Sequence, residues 1–216
     1  MAFDTASFPQ LCVVEHPLVQ HKLTYLRDMH TDTATFRRLV AELALLLTYE
    51  ATRDLELIDH TVQTPLEETT KHALAGKQVA VIPILRAGLG MLDAVLTLLP
   101  NARVGFLGAY RDEETATPVR YYEKFPADLD QRDVIILDPM LATGGSAALA
   151  VELLKARGAR RIVQISLVAA PEGVMHLLGE HPDIRVVTAS LDRELNDRYY
   201  IVPGLGDAGD RLFGTP

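Results

Sequence analysis

Val134-Ile-Ile-Leu-Asp138-Pro-Met-Leu-Ala-Thr143-Gly144-Gly145-Ser146 reads as an apolar strand, a carboxylate at its end, and a Thr-Gly-Gly-Ser turn that opens a helix. An unbroken apolar run at strand length suits a strand buried on both faces, as in parallel sheets covered by helices. Glycines at 144 and 145 free the backbone to take positive φ and to approach a ligand closely. Successive N–H groups in such a turn form a concave nest, and the helix start behind it adds partial positive charge. Thr143 and Ser146 add hydroxyl donors. The segment is a candidate socket for a phosphate monoester. The competing reading is a tight turn in which Ser146 only caps the helix.

Working outward, further apolar runs of strand length occupy Val79–Leu85, Val104–Ala109 and Ile162–Ala169, with a weaker one at Ile184–Thr188. Helical spacing lies between several of them, most clearly over Leu89–Leu99 and over Ala147–Ala156, the latter stopped by Gly158 at C′. Upstream, Phe36, Leu39, Val40, Leu43, Leu46 and Leu47 predict an amphipathic helix with Thr31, Asp32 or Thr33 as its N-cap. The pattern predicts an α/β fold over 1–216 as one domain, with a parallel sheet covered on both faces and an N-terminal helical portion. Residues 1–10 lack periodicity and predict a loose arm. In such sheets ligands gather at the carboxyl ends of the strands, so the residues after each run are the candidates for function.

Composition narrows the classes. The 216 residues are 48% hydrophobic and 23% charged with 14 Gly and 12 Pro, which excludes disorder, collagen and coiled coil as the main state. The single Cys12 excludes an intramolecular disulfide and fits a reducing compartment. The longest apolar candidate, Ala87–Pro100, is interrupted by Asp93, so no membrane span is expected and the cytoplasm is the expected location. Twenty-nine acidic against 21 basic residues give −8, which disfavours nucleic acid as a partner of the whole surface. Gly76-Lys77 is followed by Gln78, so no Walker loop is present. Gly204-x-Gly206-x-x-Gly209 matches a dinucleotide fingerprint literally, but only seven residues follow it, too few for the helix, strand and acid that motif needs. The histidines show no ligand spacing.

Two further clusters follow strand ends. Arg86, in Leu85-Arg86-Ala-Gly-Leu-Gly90, suits a diphosphate held by a bidentate fork. Tyr110-Arg111 opens a polar run, Asp112-Glu-Glu-Thr-Ala-Thr-Pro-Val-Arg120, whose plain reading is a solvated hairpin. Late in the chain, Ile201-Val-Pro-Gly-Leu-Gly206-Asp207-Ala208-Gly209 can present backbone groups to the edge of a flat base.

Asp138 five residues before Thr143 resembles the PRPP signature of the type I phosphoribosyltransferases, PRPP being 5-phosphoribosyl diphosphate; the second acid usual in that signature is Pro139 here. Together with Arg86–Gly90, Tyr110–Thr115, Ala169-Ala-Pro-Glu-Gly173, Pro203–Asp210, His16-Pro-Leu-Val and Leu47-Thr-Tyr-Glu-Ala51, the chain resembles the uracil phosphoribosyltransferases over roughly residues 11–216. The resemblance implies the type I phosphoribosyltransferase fold with a C-terminal base-binding tail, and transfer of phosphoribosyl from PRPP to uracil N1, giving UMP and diphosphate. It implies PRPP binding by Arg86, Arg111, Asp138, Pro139, Met140, Leu141, Ala142, Thr143, Gly144, Gly145, Ser146 and Asp207, with Arg111 and Asp207 catalytic. Uracil would be read by Ile201, Gly206, Asp207 and Ala208. Mg²⁺ would be held mainly through PRPP, with Asp207 as the open protein ligand. The polar run after Arg111 becomes a lid, and the loop at Arg86 a strained one. A GTP effector and a homo-oligomer, dimer or tetramer, come with the resemblance and are not read from the residues, although the apolar N-terminal helices point to self-association. The rival readings are transfer to another base, and a nucleotide- and RNA-binding regulator on the same fold.

Overall fold

Along the central strands, neighbouring side chains face opposite ways into two separate cores, which is why both odd and even positions had to be apolar. The computed structural model describes residues 5–77, 79–111 and 118–215. Val79, Val81, Ile135, Leu137 and Val187 join one core; Ala80, Ile82, Val134, Ile136 and Val186 join the other.

The strands are β1 (Leu11–Val13), β2 (Leu57–Gln63), β3 (Glu68–Leu74), β4 (Ala80–Leu85), β5 (Arg103–Val104), β6 (Phe106–Arg111) and β7 (Pro118–Lys124). They continue as β8 (Asp133–Leu137), β9 (Met140–Leu141), β10 (Arg161–Ala169), β11 (Arg185–Leu191), β12 (Glu194–Leu195) and β13 (Ile201–Val202). The helices are α1 (Pro17–Arg27), α2 (Thr33–Ala51), α3 (Leu89–Leu98), α4 (Gly145–Lys155), α5 (Pro171–Glu180) and α6 (Ala208–Phe213). Among the described residues a nine-stranded sheet runs β1-β11-β10-β8-β4-β6-β7, with β5 against β4 and β9 against β10. Its pairings are parallel except β6 with β7. Helices α1, α2 and α3 cover the first core; α4 and α5 cover the second.

The predicted strands appear within a few residues of their expected ends. Val104–Ala109 is split at Gly105, where a Cβ would stand 2.7 Å from Ile82 Cδ1 and 2.8 Å from the Lys124 carbonyl. Asp32 is the cap of α2: its Oδ1 accepts from the Thr35 N–H at 2.9 Å. Gly158 is left-handed (φ 89°) but stands two residues beyond the Ala156 cap, because the chain makes one more turn through Arg157. Helix α1 starts on Pro17 with His16 Nδ1 accepting from Leu18 N at 3.1 Å, which gives His16-Pro17 a capping role.

Two corrections concern the first part of the chain. Residues 8–10 are tied to the fold and not part of a loose arm. Phe8 packs against the second core, the Gln10 amide donates to Pro182 O at 2.8 Å, and Gln10 O accepts from Val186 N. The antiparallel hairpin β2–β3 carries no sequence signal, since both its faces are largely exposed and no apolar alternation is needed.

Candidate active site

Three strand ends and the tail converge on one edge of the sheet. Strand β8 stops at Leu137, and the Pro139 carbonyl accepts from both Leu167 N and Val168 N before β9 resumes pairing with β10. Pro139 is itself buried, so an acid at that position would be sealed in the sheet. Asp138 is left facing a cavity. Burial, with the Asp207 carboxylate adding to it, pushes the Asp138 carboxyl up to about 7 against the opposing Met140 amide.

The turn after β9 is built from close backbone approaches. Gly144 is left-handed (φ 83°), and a Cβ there would lie 2.7 Å from the Gly173 carbonyl. A Cβ on Gly173 would in turn lie 2.8 Å from the Leu141 carbonyl. The first turn of α5 and the Thr143–Gly144 turn therefore nest through two glycines, which accounts for the glycine of Ala169-Ala-Pro-Glu-Gly173. Helix α4 begins with Gly144 at its N-cap and no side-chain cap, so Ser146 is not the helix cap of the competing reading. A Cβ on Gly145 would meet Pro118 at an ordinary 3.4 Å.

Thr143, Gly144, Gly145 and Ser146 line a cavity of about 270 Å³ together with Asp138, Met140, Leu141, Ala142, Pro118 and Asp207. A second cavity of about 230 Å³ adjoins it, lined by Ala87, Tyr199, Tyr200, Ile201, Gly206, Ala208 and Gly209. Asp138, Met140, Ala142 and Asp207 belong to both linings.

The tail lining the second cavity is rigidly held, by groups that sequence spacing does not connect. Asp192, nearly sealed from solvent, takes both guanidinium nitrogens of Arg27 at 2.7 and 2.6 Å, the Ser190 hydroxyl at 2.7 Å and the Gly204 N–H at 2.8 Å. Arg27 also donates to Gly204 O at 2.7 Å. Arg211 stacks 4.3 Å over Phe36 and donates to the carbonyls of Leu26, Leu205 and Asp28. Buried Ile201, Leu205 and Leu212 complete the fixing, as their bulk predicts. Gly206 is left-handed (φ 79°), and its N–H has no protein partner among the described residues.

The remaining expected residues are placed as follows. Arg86 follows a cis Leu85–Arg86 peptide but lines neither cavity; its Nη2 lies 3.4 Å from Asp210 Oδ1 and its guanidinium 5.8 Å from the Phe213 ring. Asp207 is exposed to both cavities while Oδ1 accepts from Asp210 N at 2.9 Å, capping α6. Arg111 ends β6 opposite Pro118, so the hairpin roots reach the cavity rim. Its side chain, and residues 112–117 of the expected lid over 112–120, lie outside the described residues, while Pro118–Arg120 open β7. Tyr199 and Tyr200, absent from the expected set, wall the second cavity. Among the described residues no cluster of three His, Cys, Asp or Glu could cage a metal, and no helix is long and apolar enough to cross a membrane.

Residues 13–215 match the family model described as uracil phosphoribosyltransferase. Proteins named uracil phosphoribosyltransferase from Bacillus thuringiensis (strain Al Hakam) and Bacillus cereus (strain B4264) are each 57% identical over 206 residues, covering 95% of this chain and 99% of theirs. A solved structure, the AQ2163 protein from Aquifex aeolicus, superposes with a TM-score of 0.90 at 37% identity, over 94% of this chain and 97% of that one. The adenine phosphoribosyltransferase of Trypanosoma brucei, at 13% identity and a TM-score of 0.55 over 96% and 92% of the two chains, shares the fold.

Proposed function

The chain belongs to the uracil phosphoribosyltransferase family, and from that premise we propose how its two adjoining cavities divide the reaction. The chain transfers the 5-phosphoribosyl group of PRPP to uracil, giving UMP and diphosphate. The observation that carries the proposal is the shared wall: one cavity holds the glycine turn, the other the tail, and Asp138 and Asp207 stand where they meet.

In this reading the 5-phosphate sits on the N–H groups of Thr143 to Ser146, at the start of α4. Pro139, Met140, Leu141 and Ala142 shape the floor, and ribose hydroxyls donate to Asp138. Uracil lies against Ile201, Gly206 and Ala208, whose backbone groups read its edge, between the two tyrosines. Diphosphate departs from C1 as positive character develops on the sugar, the N1–C1 bond forms from the opposite face, and the N1 proton is released to water. The enzyme needs no covalent nucleophile for this; alignment and neutralised leaving-group charge suffice. Arg86 exchanges its exposed contact with Asp210 for the diphosphate, and Arg111, at the end of β6, adds a second positive charge for it.

The donor set fits a metal that arrives on its substrate. Asp138 and Asp207 repel each other across the wall, and among the described residues no third acid joins them, which suits a Mg²⁺ keeping water and PRPP oxygens as most of its ligands. Asp207 would be the protein ligand, and the ion would supply charge neutralisation of the leaving diphosphate.

A GTP effector and a dimer or tetramer complete the proposal; exposed Leu57, Ile58 and Leu66 on the hairpin support self-association. The half-buried free thiol of Cys12 fits the cytoplasm.

The deciding assay follows diphosphate release from PRPP and Mg²⁺ with uracil, cytosine, hypoxanthine and adenine. Uracil pairs an N3–H donor with an O4 acceptor, and cytosine reverses both. Sites built on such hydrogen bonds reject the wrong pattern by about 10⁴–10⁵, whereas shape gives only about 10–200-fold. Cytosine should react at least about a thousandfold more slowly. Equal rates, or a purine reacting faster, would overturn the assignment of the tail.

A further inference from the structure

The phosphate turn is steered from behind by a histidine. His176, on α5, places Nδ1 2.7 Å from the Thr143 carbonyl. A carbonyl only accepts, so Nδ1 carries the hydrogen. The other ring nitrogen faces Glu180 Oε1 at 3.2 Å, one helical turn further on, and donates to that carboxylate when the ring carries a hydrogen on both nitrogens.

Thr143 C=O and Gly144 N–H belong to a single planar peptide unit, and in a trans peptide they point in opposite directions. The cis bonds of the described residues are Leu85–Arg86 and Val202–Pro203, so this peptide is trans. Drawing the carbonyl toward α5 therefore aims the Gly144 N–H away from α5, toward the cavity that Gly144 lines. The following peptide is fixed separately, since Gly144 O accepts the first bond of α4 from Ala148 N at 2.8 Å. The Thr143–Gly144 plane has His176 as its own latch, and it needs one. Glycine makes rotation of the neighbouring peptide cheap, and a rotated plane would turn a carbonyl dipole toward a phosphate.

We propose that His176, oriented by Glu180, is a positioning residue for the transfer reaction: it locks the Thr143–Gly144 peptide with its N–H toward the 5-phosphate. This rests on reading the turn as the phosphate socket.

The test measures binding of ribose 5-phosphate, which probes the socket, and of diphosphate, which probes the far end. Titration calorimetry is run on the full chain as wild type, His176→Ala, His176→Asn, Glu180→Ala and Gly145→Val. A hydrogen bond to a charged group is worth about 10–100-fold in binding. His176→Ala should lose about that much for ribose 5-phosphate and raise KM for PRPP alike, with diphosphate binding and KM for uracil within about twofold. His176→Asn keeps an N–H donor near the Nδ1 position and should restore most of the loss. Glu180→Ala, an exposed change that leaves α5 intact, should give a smaller loss in the same direction and carries the test if His176→Ala does not fold. Wild-type binding of ribose 5-phosphate by His176→Ala overturns the proposal, as does equal loss for both probes or failure of His176→Asn to rescue. Gly145→Val separates the two readings. If it binds ribose 5-phosphate normally, the socket itself is wrong; if it fails while His176→Ala binds, only the role of His176 is wrong.

Discussion

Asp138 meets two opposed demands: in the proposed role it accepts two ribose hydroxyls best as a carboxylate, and where it sits ionisation is unfavourable. Its folded-state pKa of about 7 is above the ordinary carboxylate value, so the folded protein holds that proton more tightly than the unfolded chain. Stability from this group is whole below about pH 4 and is lost as pH rises through about 7. Asp138→Asn should therefore unfold at a higher denaturant concentration than wild type at pH 8, by on the order of 1–3 kcal/mol, while the two agree near pH 4. The figure is reduced from the full shift because the carboxyl opens onto a cavity. Equal stability at pH 8 would show that burial is not what holds the proton. The same variant should lose transfer activity, the usual exchange of stability for function. Gly144 carries a related lesson. Its positive φ is legible in the sequence, but the reason for it is split: a side chain there would strike α5 rather than fill the phosphate's place. Gly145 is the position whose side chain tests the socket.

The tail is an element shaped by charge as much as by bulk. Asp192→Ala removes the acceptor for Arg27, Ser190 and Gly204 at once, in a site nearly closed to water. Breaking a buried ion pair on one side costs about 3–5 kcal/mol, and about 2–4 kcal/mol is expected here because Arg27 keeps some solvent. Denaturant unfolding should read that loss. KM for uracil should rise while ribose 5-phosphate binds as before, because Asp192 holds the tail and not the glycine turn; a parallel loss of both would show the two cavities to be one mechanical unit. The burial of Ile201, Leu205 and Leu212 goes with their bulk, which is a local property of the sequence. Sequence alone could not reach the Arg27–Asp192 pair, whose members stand 165 residues apart. His176 escaped for the same reason: its partner is a backbone carbonyl 33 residues away, and backbone carbonyls have no sequence identity. The residues around Asp138, by contrast, lie in one short stretch running β8, β9, glycine turn and α4, so their neighbours in space are largely their neighbours in sequence; the short strand β9 is the part the pattern did not show.

At the scale of the molecule, order should follow burial. The central strands β8 and β10 are almost wholly enclosed, whereas β2 and β3 have no covered face, and a two-stranded ribbon alone is marginal in water. Hydrogen exchange should protect amides 134–137 and 162–168 near the global limit and leave 57–74 exchanging orders of magnitude faster in dilute protein. Slow exchange of the hairpin that relaxes on dilution would mark it as covered by a second copy. The parallel core was legible because its apolar runs are continuous; the hairpin was not, because nothing in an exposed ribbon constrains its residues. The contact between Arg27 and the Gly204 carbonyl spans 177 residues, nearly the whole chain. Synthesis runs from the N-terminus, so Arg27 is made long before the Gly204 carbonyl it holds, and the wall that Asp207 gives to both cavities is among the last parts of the described fold to be fixed.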